Sequence, residues 1–147
     1  MSDLRDLYQE VILDHSKRPR NHRRPEQFDA SAEGHNPLCG DRLTVFLKVA
    51  DGVLTEVAFE GQGCAISTAS ASMMTEALRG RTVDEARALF ERFHRSVTEA
   101  SASDEELGKL AAFEGVREFP VRVKCATLAW HTLRAAIEAS AKTVSTE

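Results

Sequence analysis

The chain has no C-x-x-C pair, no run of about 18 apolar residues of the kind a membrane helix needs, and no excess of positive charge. Each absence removes a class. The missing apolar run, together with a start (MSDLRDLYQE) that lacks the basic-then-apolar layout of a signal peptide, predicts a soluble, cytoplasmic protein with no membrane partner. Its 19 basic and 23 acidic residues leave a net charge of −4, which argues against nucleic acid as a partner, because such binders need a basic face to displace counterions. The one dense basic stretch, Lys17 to Arg24 (KRPRNHRR), is either a solvated segment or a dock for an acidic partner. Three cysteines, an odd number lying far apart, give no disulfide framework and suit a reducing compartment. Their remaining options are metal binding, thiol chemistry, or burial as small hydrophobes.

What is present is 147 residues with 42% hydrophobic content, enough for one core and too short for two ordinary domains. We expect a single domain over residues 1–140 and a polar tail over 141–147 (AKTVSTE). Leu4, Leu7, Tyr8, Val11 and Ile12 fall at helical spacing and predict an N-terminal amphipathic helix that stops before Pro19. After a polar stretch holding Pro25 and Pro37, the run RLTVFLKVADGVLTEVAFEG alternates on both sides of Asp51-Gly52, a preferred pair for a tight hairpin. Leu43, Val45, Leu47, Val49, Val53, Val57 and Phe59 are then the core-facing set. A helix follows from Ala65 through Leu78 to Gly80, and Thr82 with Glu85 forms a capping-box signature for another. Ser103 and Glu106 repeat that signature, and HRSVTEASASD between the two starts reads as a connection. Leu128, Leu133, Ala136 and Ile137 mark a last helix over about Cys125–Ala139. The order predicts an α+β fold, a small antiparallel sheet packed against helices on one face.

The cysteines all sit at predicted element ends: Cys39 in HNPLCGD before the first strand, Cys64 in GQGCAIS before a helix, Cys125 in RVKCATLAW at the last helix start. Element ends let a scaffold aim side chains from distant parts of a chain at one point. Helix N-termini also favour anions, so Cys64 and Cys125 should lean toward thiolate. With Asp41, two residues past Cys39, three thiols would complete a tetrahedral shell suited to zinc. Spacing alone does not decide this, since separations of 25 and 61 residues match no zinc-finger pattern. Gly40, Gly61 and Gly63 either let backbone approach a ligand or simply make turns. Of the competing imidazoles, His15, His22, His35, His94 and His131, only His35 lies near the motif in sequence. Met73, Met74, Phe90, Phe93, Phe113, Phe119 and Trp130 read as core or interface.

Taken together, LYQEVILDHSKRPRN, HNPLCGD, GCAIS and VKCATLAW resemble the SufU branch of the SufU/IscU-like family, the NifU N-terminal domain proteins of iron–sulfur cluster assembly. The resemblance spans residues 7–130. It implies the same α+β sandwich, zinc held by Cys39, Asp41, Cys64 and Cys125, and a zinc-dependent sulfurtransferase role. The partners it implies are a SufS-type cysteine desulfurase and downstream cluster assembly proteins. Lys124, where cluster scaffolds typically carry His, and the long stretch between Cys64 and Cys125 are similar to the SufU branch. The alternative is an iron–sulfur cluster assembly scaffold using the same thiolates, and a further one is a zinc-stabilised interaction module without catalysis. Because a thiol of pKa about 8.5 is only about 3% ionised at pH 7, metal binding would supply the thiolate. Cys39, on a Pro- and Gly-flanked loop, is the candidate sulfur acceptor, and Arg122 and Lys124 are candidates to steer the persulfide anion.

Overall fold

The computed structural model describes residues 2–37, 40–99 and 105–145. Helix α1 (Ser2–Lys17) leads into an irregular segment, then strands β1 (Ala30–Asn36), β2 (Asp41–Ala50) and β3 (Val53–Gln62). Helices α2 (Ala65–Leu78) and α3 (Val83–Thr98), a 3₁₀ segment (Glu105–Glu118) and α4 (Pro120–Ser145) complete the chain. The strands form one antiparallel sheet in the order β1-β2-β3. Asp51 and Gly52 turn β2 into β3 with φ of 53° and 78°, the left-handed pair that a two-residue hairpin requires.

The alternation of β2 and β3 sends Leu43, Val45, Leu47, Val57 and Phe59 into the core as expected, but Leu54 is buried there while Val53 is only half-buried. A register shift at Lys48/Val49 pairs Lys48 with Glu56 and Val49 with Leu54, so one residue of β3 is passed over and the facing parity changes. The segment before Pro37, read from its polarity as irregular, contains β1. Its inner positions Ala32, Gly34 and Asn36 alternate with exposed Ser31, Glu33 and His35, a pattern too short of large apolar residues to announce a strand.

Helix α2 is the spine. Nine of the fourteen residues of AISTASASMMTEAL are buried, with Ala69–Thr75 buried without a break, and small side chains let α1, α4 and the sheet close around it. Its polar groups are matched: the Ser70 hydroxyl donates to the Ala126 carbonyl at 2.5 Å and accepts from the Trp130 indole N–H at 3.2 Å. Helix α4 crosses β1 and β2 at Gly34, where an added Cβ would lie 2.0 Å from Thr132 Oγ1. Val11 and Ile12 dock α1 on the core; the side chains of Leu4, Leu7 and Tyr8 lie outside the described residues.

The capping box at Thr82 and Glu85 is formed in both directions, with contacts of 3.0 and 2.9 Å. Helix α3 runs on to Thr98, so His94–Thr98 are helical, in contrast to the connection expected from their small polar side chains. Ser103 lies outside the described residues, and the segment after it is 3₁₀, broken at Gly108 (φ 57°), in place of a regular helix. At its two ends α4 exceeds the expected Cys125–Ala139. It starts at Pro120, and its backbone stays helical to Ser145 through part of the expected tail. The basic stretch is largely neutralised: Arg18 and Arg20 pair with Asp14, Arg23 with Glu56 and Arg24 with Glu60.

Candidate metal centre

Three chain segments converge at one end of the sheet. Asp41 opens β2 and is fully buried, Cys64 is the N-cap residue of α2, and Cys125 projects from α4 with 2% exposure. One ligand atom from each lies within 4.8 Å of the other two. Cys39, the fourth expected ligand, lies outside the described residues.

Local structure explains the placement. Cys64 has the extended backbone of an N-cap (φ −68°, ψ 171°), and its sulfur accepts from the Ser67 N–H at 3.4 Å. Its own N–H donates to Asp41 Oδ1 at 2.8 Å, which fixes the carboxylate against the helix start. Gly61 and Gly63 act by close approach: a Cβ on Gly61 (φ 140°) would meet the Arg42 carbonyl at 2.2 Å, and one on Gly63 would meet Asp41 Oδ1 at 2.9 Å. Gly40 (φ 71°) has open space around it and serves the turn.

Cys125 differs from expectation. With α4 starting at Pro120, it sits in the second turn, where the helix-terminal field has faded. The signal was available, since proline favours the first helical position. Its sulfur instead has the amide of Asn36 at 4.0 Å. Asn36 pairs with Asp41 across the β1–β2 ladder, so both side chains share the inner face. Asn36 carries no signal in the sequence, because β1 lacks the apolar alternation of a strand. His35, one residue earlier, projects from the outer face and lines an open groove with Glu33, Arg42 and Glu60, so it is no ligand. His15 is buried against Ser72, His22 stacks on Phe59, and His94 and His131 meet each other elsewhere. Arg122 lies over the Phe119 ring, and Lys124 is exposed.

The donor set fits one thiophilic ion. Zinc–sulfur bonds of about 2.3 Å and zinc–oxygen bonds of about 2.0–2.2 Å put tetrahedral neighbours roughly 3.5–3.8 Å apart. Cys64 Sγ and Asp41 Oδ2 already stand 3.8 Å apart. Among the described residues no Lys, Arg or His pairs with Asp41, so a metal ion would supply a positive partner to this buried side chain.

Fold and site together define a small α+β sandwich with an Asp–Cys–Cys cluster that could hold a metal ion at the sheet end. The chain belongs to the family of the NifU-like N-terminal domain, whose model matches residues 7–145. It is 42% identical over 142 residues to the iron–sulfur cluster assembly scaffold protein IscU of Streptococcus pyogenes serotype M1, covering 96% of this chain and 89% of that protein. It is 39% identical over 133 residues to the zinc-dependent sulfurtransferase SufU of Bacillus subtilis strain 168, covering 90% of each. A solved SufU from Fervidobacterium islandicum AW-1, described as a cluster assembly scaffold for the SUF system, superposes with a TM-score of 0.82 at 36% identity, over 87% of this chain and 94% of that one.

Proposed function

We propose that this protein is a zinc-dependent sulfur acceptor that serves a SufS-type cysteine desulfurase in iron–sulfur cluster assembly. The observation that carries the reading is the size of the Asp41–Cys64–Cys125 cluster, whose ligand atoms within 4.8 Å suit a single ion. Zinc bound there would keep its thiol ligands deprotonated at neutral pH. Support also comes from the likeness to the Bacillus subtilis SufU and from exposed Lys124, an ammonium that offers no ligand beside Cys125.

In this reading Cys39 takes the sulfur. Its thiolate attacks the terminal sulfur of the desulfurase persulfide; the new S–S bond forms as the donor S–S bond breaks, and the desulfurase cysteine leaves as a thiolate. The exchange consumes no external oxidant or reductant. Asp41, Cys64 and Cys125, anchored on a strand and two helices, would hold the centre, which leaves Cys39, from the Pro- and Gly-flanked stretch of the sequence, as the acceptor. Arg122 and Lys124 add positive charge on the first turns of α4, suited to the incoming persulfide anion.

The test is desulfurase turnover with and without the protein, in zinc-loaded and chelator-stripped forms of known metal content. Stimulation by the zinc form alone supports the proposal; no stimulation despite stoichiometric zinc overturns it. Cys39→Ser should still bind the desulfurase and no longer accept sulfur. A second reading, cluster scaffold, is favoured by the 42% identity to the streptococcal IscU. It requires a brown protein with cluster absorption after anaerobic reconstitution.

A further inference from the structure

A pair of imidazoles lies apart from the centre described above. His94 on α3 and His131 on α4 face each other with ring centroids 5.6 Å apart and planes at 79°. The Phe90 ring backs both, at 5.9 Å from His94 and 5.3 Å from His131. Among the described residues neither imidazole has a hydrogen-bond partner, so their ring nitrogens are uncommitted. His131 is exposed and His94 half-buried, which leaves one side of the pair open to water.

The separation suits a shared ion. A metal–nitrogen bond of about 2.0–2.1 Å puts the ring centroid about 3.2 Å from the ion, so two imidazoles at a tetrahedral angle have centroids about 5.2 Å apart. The observed 5.6 Å is within about half an ångström of that. The two ligands stand on separate helices that pack together, so the site is braced before the ion arrives. The nearby cation, Arg134, is paired with Glu138 at 3.5 Å.

We propose that His94 and His131 form a second, solvent-open metal site that bridges α3 and α4 and takes a late first-row divalent ion, with waters completing the shell. Imidazole pairs of this kind favour nickel, copper(II) and zinc over magnesium or calcium. Along α4, His131 is six residues beyond Cys125, about 9 Å up the axis, so the two sites share no ligand. The protein would then take up one metal equivalent more than its thiolate centre accounts for.

The experiment uses the full chain loaded with zinc and dialysed against nickel(II), with both metals counted. The wild type should retain one nickel that His94→Gln and His131→Gln each lose, with affinity falling on the order of 100-fold because the second imidazole binds intramolecularly. Trp130 is the single tryptophan and adjoins His131, so nickel should quench its fluorescence in the wild type and not in either variant. Melting of the nickel-free variants at the wild-type temperature confirms that they fold. If either variant drops in melting temperature, His94→Asn and His131→Asn replace it. Retention of the extra nickel by either single variant, or quenching that persists in both, overturns the proposal. Because the count is a difference between wild type and variants, it stands whether or not zinc fills the thiolate centre.

Discussion

Asp41 carries the most chemistry for its size. Its carboxylate is fully buried, accepts the Cys64 N–H at 2.8 Å and reaches to 3.8 Å from the Cys64 sulfur, so it joins the start of β2 to the start of α2 as well as facing the centre. Asp41→Ala would therefore cost both a candidate ligand and a cap contact. Gly63 separates the two effects. Adding a Cβ there pushes on Asp41 Oδ1 at 2.9 Å without deleting any donor. Gly63→Ala should weaken zinc retention about 10- to 100-fold, the scale of a disturbed ligand orientation. Competition with a colorimetric chelator measures this, and the metal-free protein should melt close to wild type. A second residue sets a pH response. His15 is buried, hydrogen-bonded to Ser72 Oγ at 2.7 Å, and its pKa is lowered, first by burial and then by Arg20. The unfolded chain thus binds a proton that the folded one resists. The stability held by neutral His15 is complete above the ordinary imidazole pKa of about 6.5 and is lost as pH falls below it. Urea midpoints of wild type and His15→Asn should converge between about pH 7.5 and about pH 5.5, across that ordinary value. A constant gap would mean that His15 contributes packing alone.

At the scale of elements, α2 and α4 hold the site in place. Helix α2 brings Cys64 at its tip while its buried serines fasten it to α4 and to α1, and α4 brings Cys125 because Gly34 lets it lie close on β1. Gly34→Ala should destabilise the protein by about 1–3 kcal/mol, the usual cost of overpacking, since Thr132 Oγ1 would sit 2.0 Å from the new carbon. The urea midpoint should fall, and zinc retention with it. At the far end of α2, the box at Thr82 and Glu85 starts α3, and Thr82→Ala should cost about 1 kcal/mol with no change in metal binding. Elements with local chemistry were legible in the sequence: the Asp51-Gly52 hairpin, the capping box, and the α2 end at Gly80 with φ 88°. Those decided by tertiary contact were not. Strand β1 offers Ala32 and Gly34 where a strand pattern needs bulk, because α4 takes up the space. Helix α3 continues through small polar residues because Ser96 and Val97 are buried on its inner face.

For the whole molecule, the site was legible as residues and not as geometry. Motif order pointed to Cys39, Asp41, Cys64 and Cys125; the fold brings the last three together, and Cys39 lies outside the described residues. Motif order could not place Asn36, whose role depends on the pairing of β1 with β2, nor the depth of Cys125 within α4. The arrangement has a consequence for stability. Asp41, Cys64 and Cys125 belong to β2, α2 and α4, so an ion held among them ties the sheet to both central helices, which the unfolded chain cannot do. A ligand that binds only the folded state adds RT ln(1 + [L]/Kd), about 4 kcal/mol when present at about 1,000 times its Kd. That is a large share of the roughly 5–15 kcal/mol by which domains are stable. Chelator-stripped protein should therefore melt well below the zinc-loaded form, and Cys125→Ser should lower the loaded melting temperature toward the stripped one while moving the stripped value little. If stripping leaves melting unchanged, the sheet and helices are held by packing alone, and the centre is not structural.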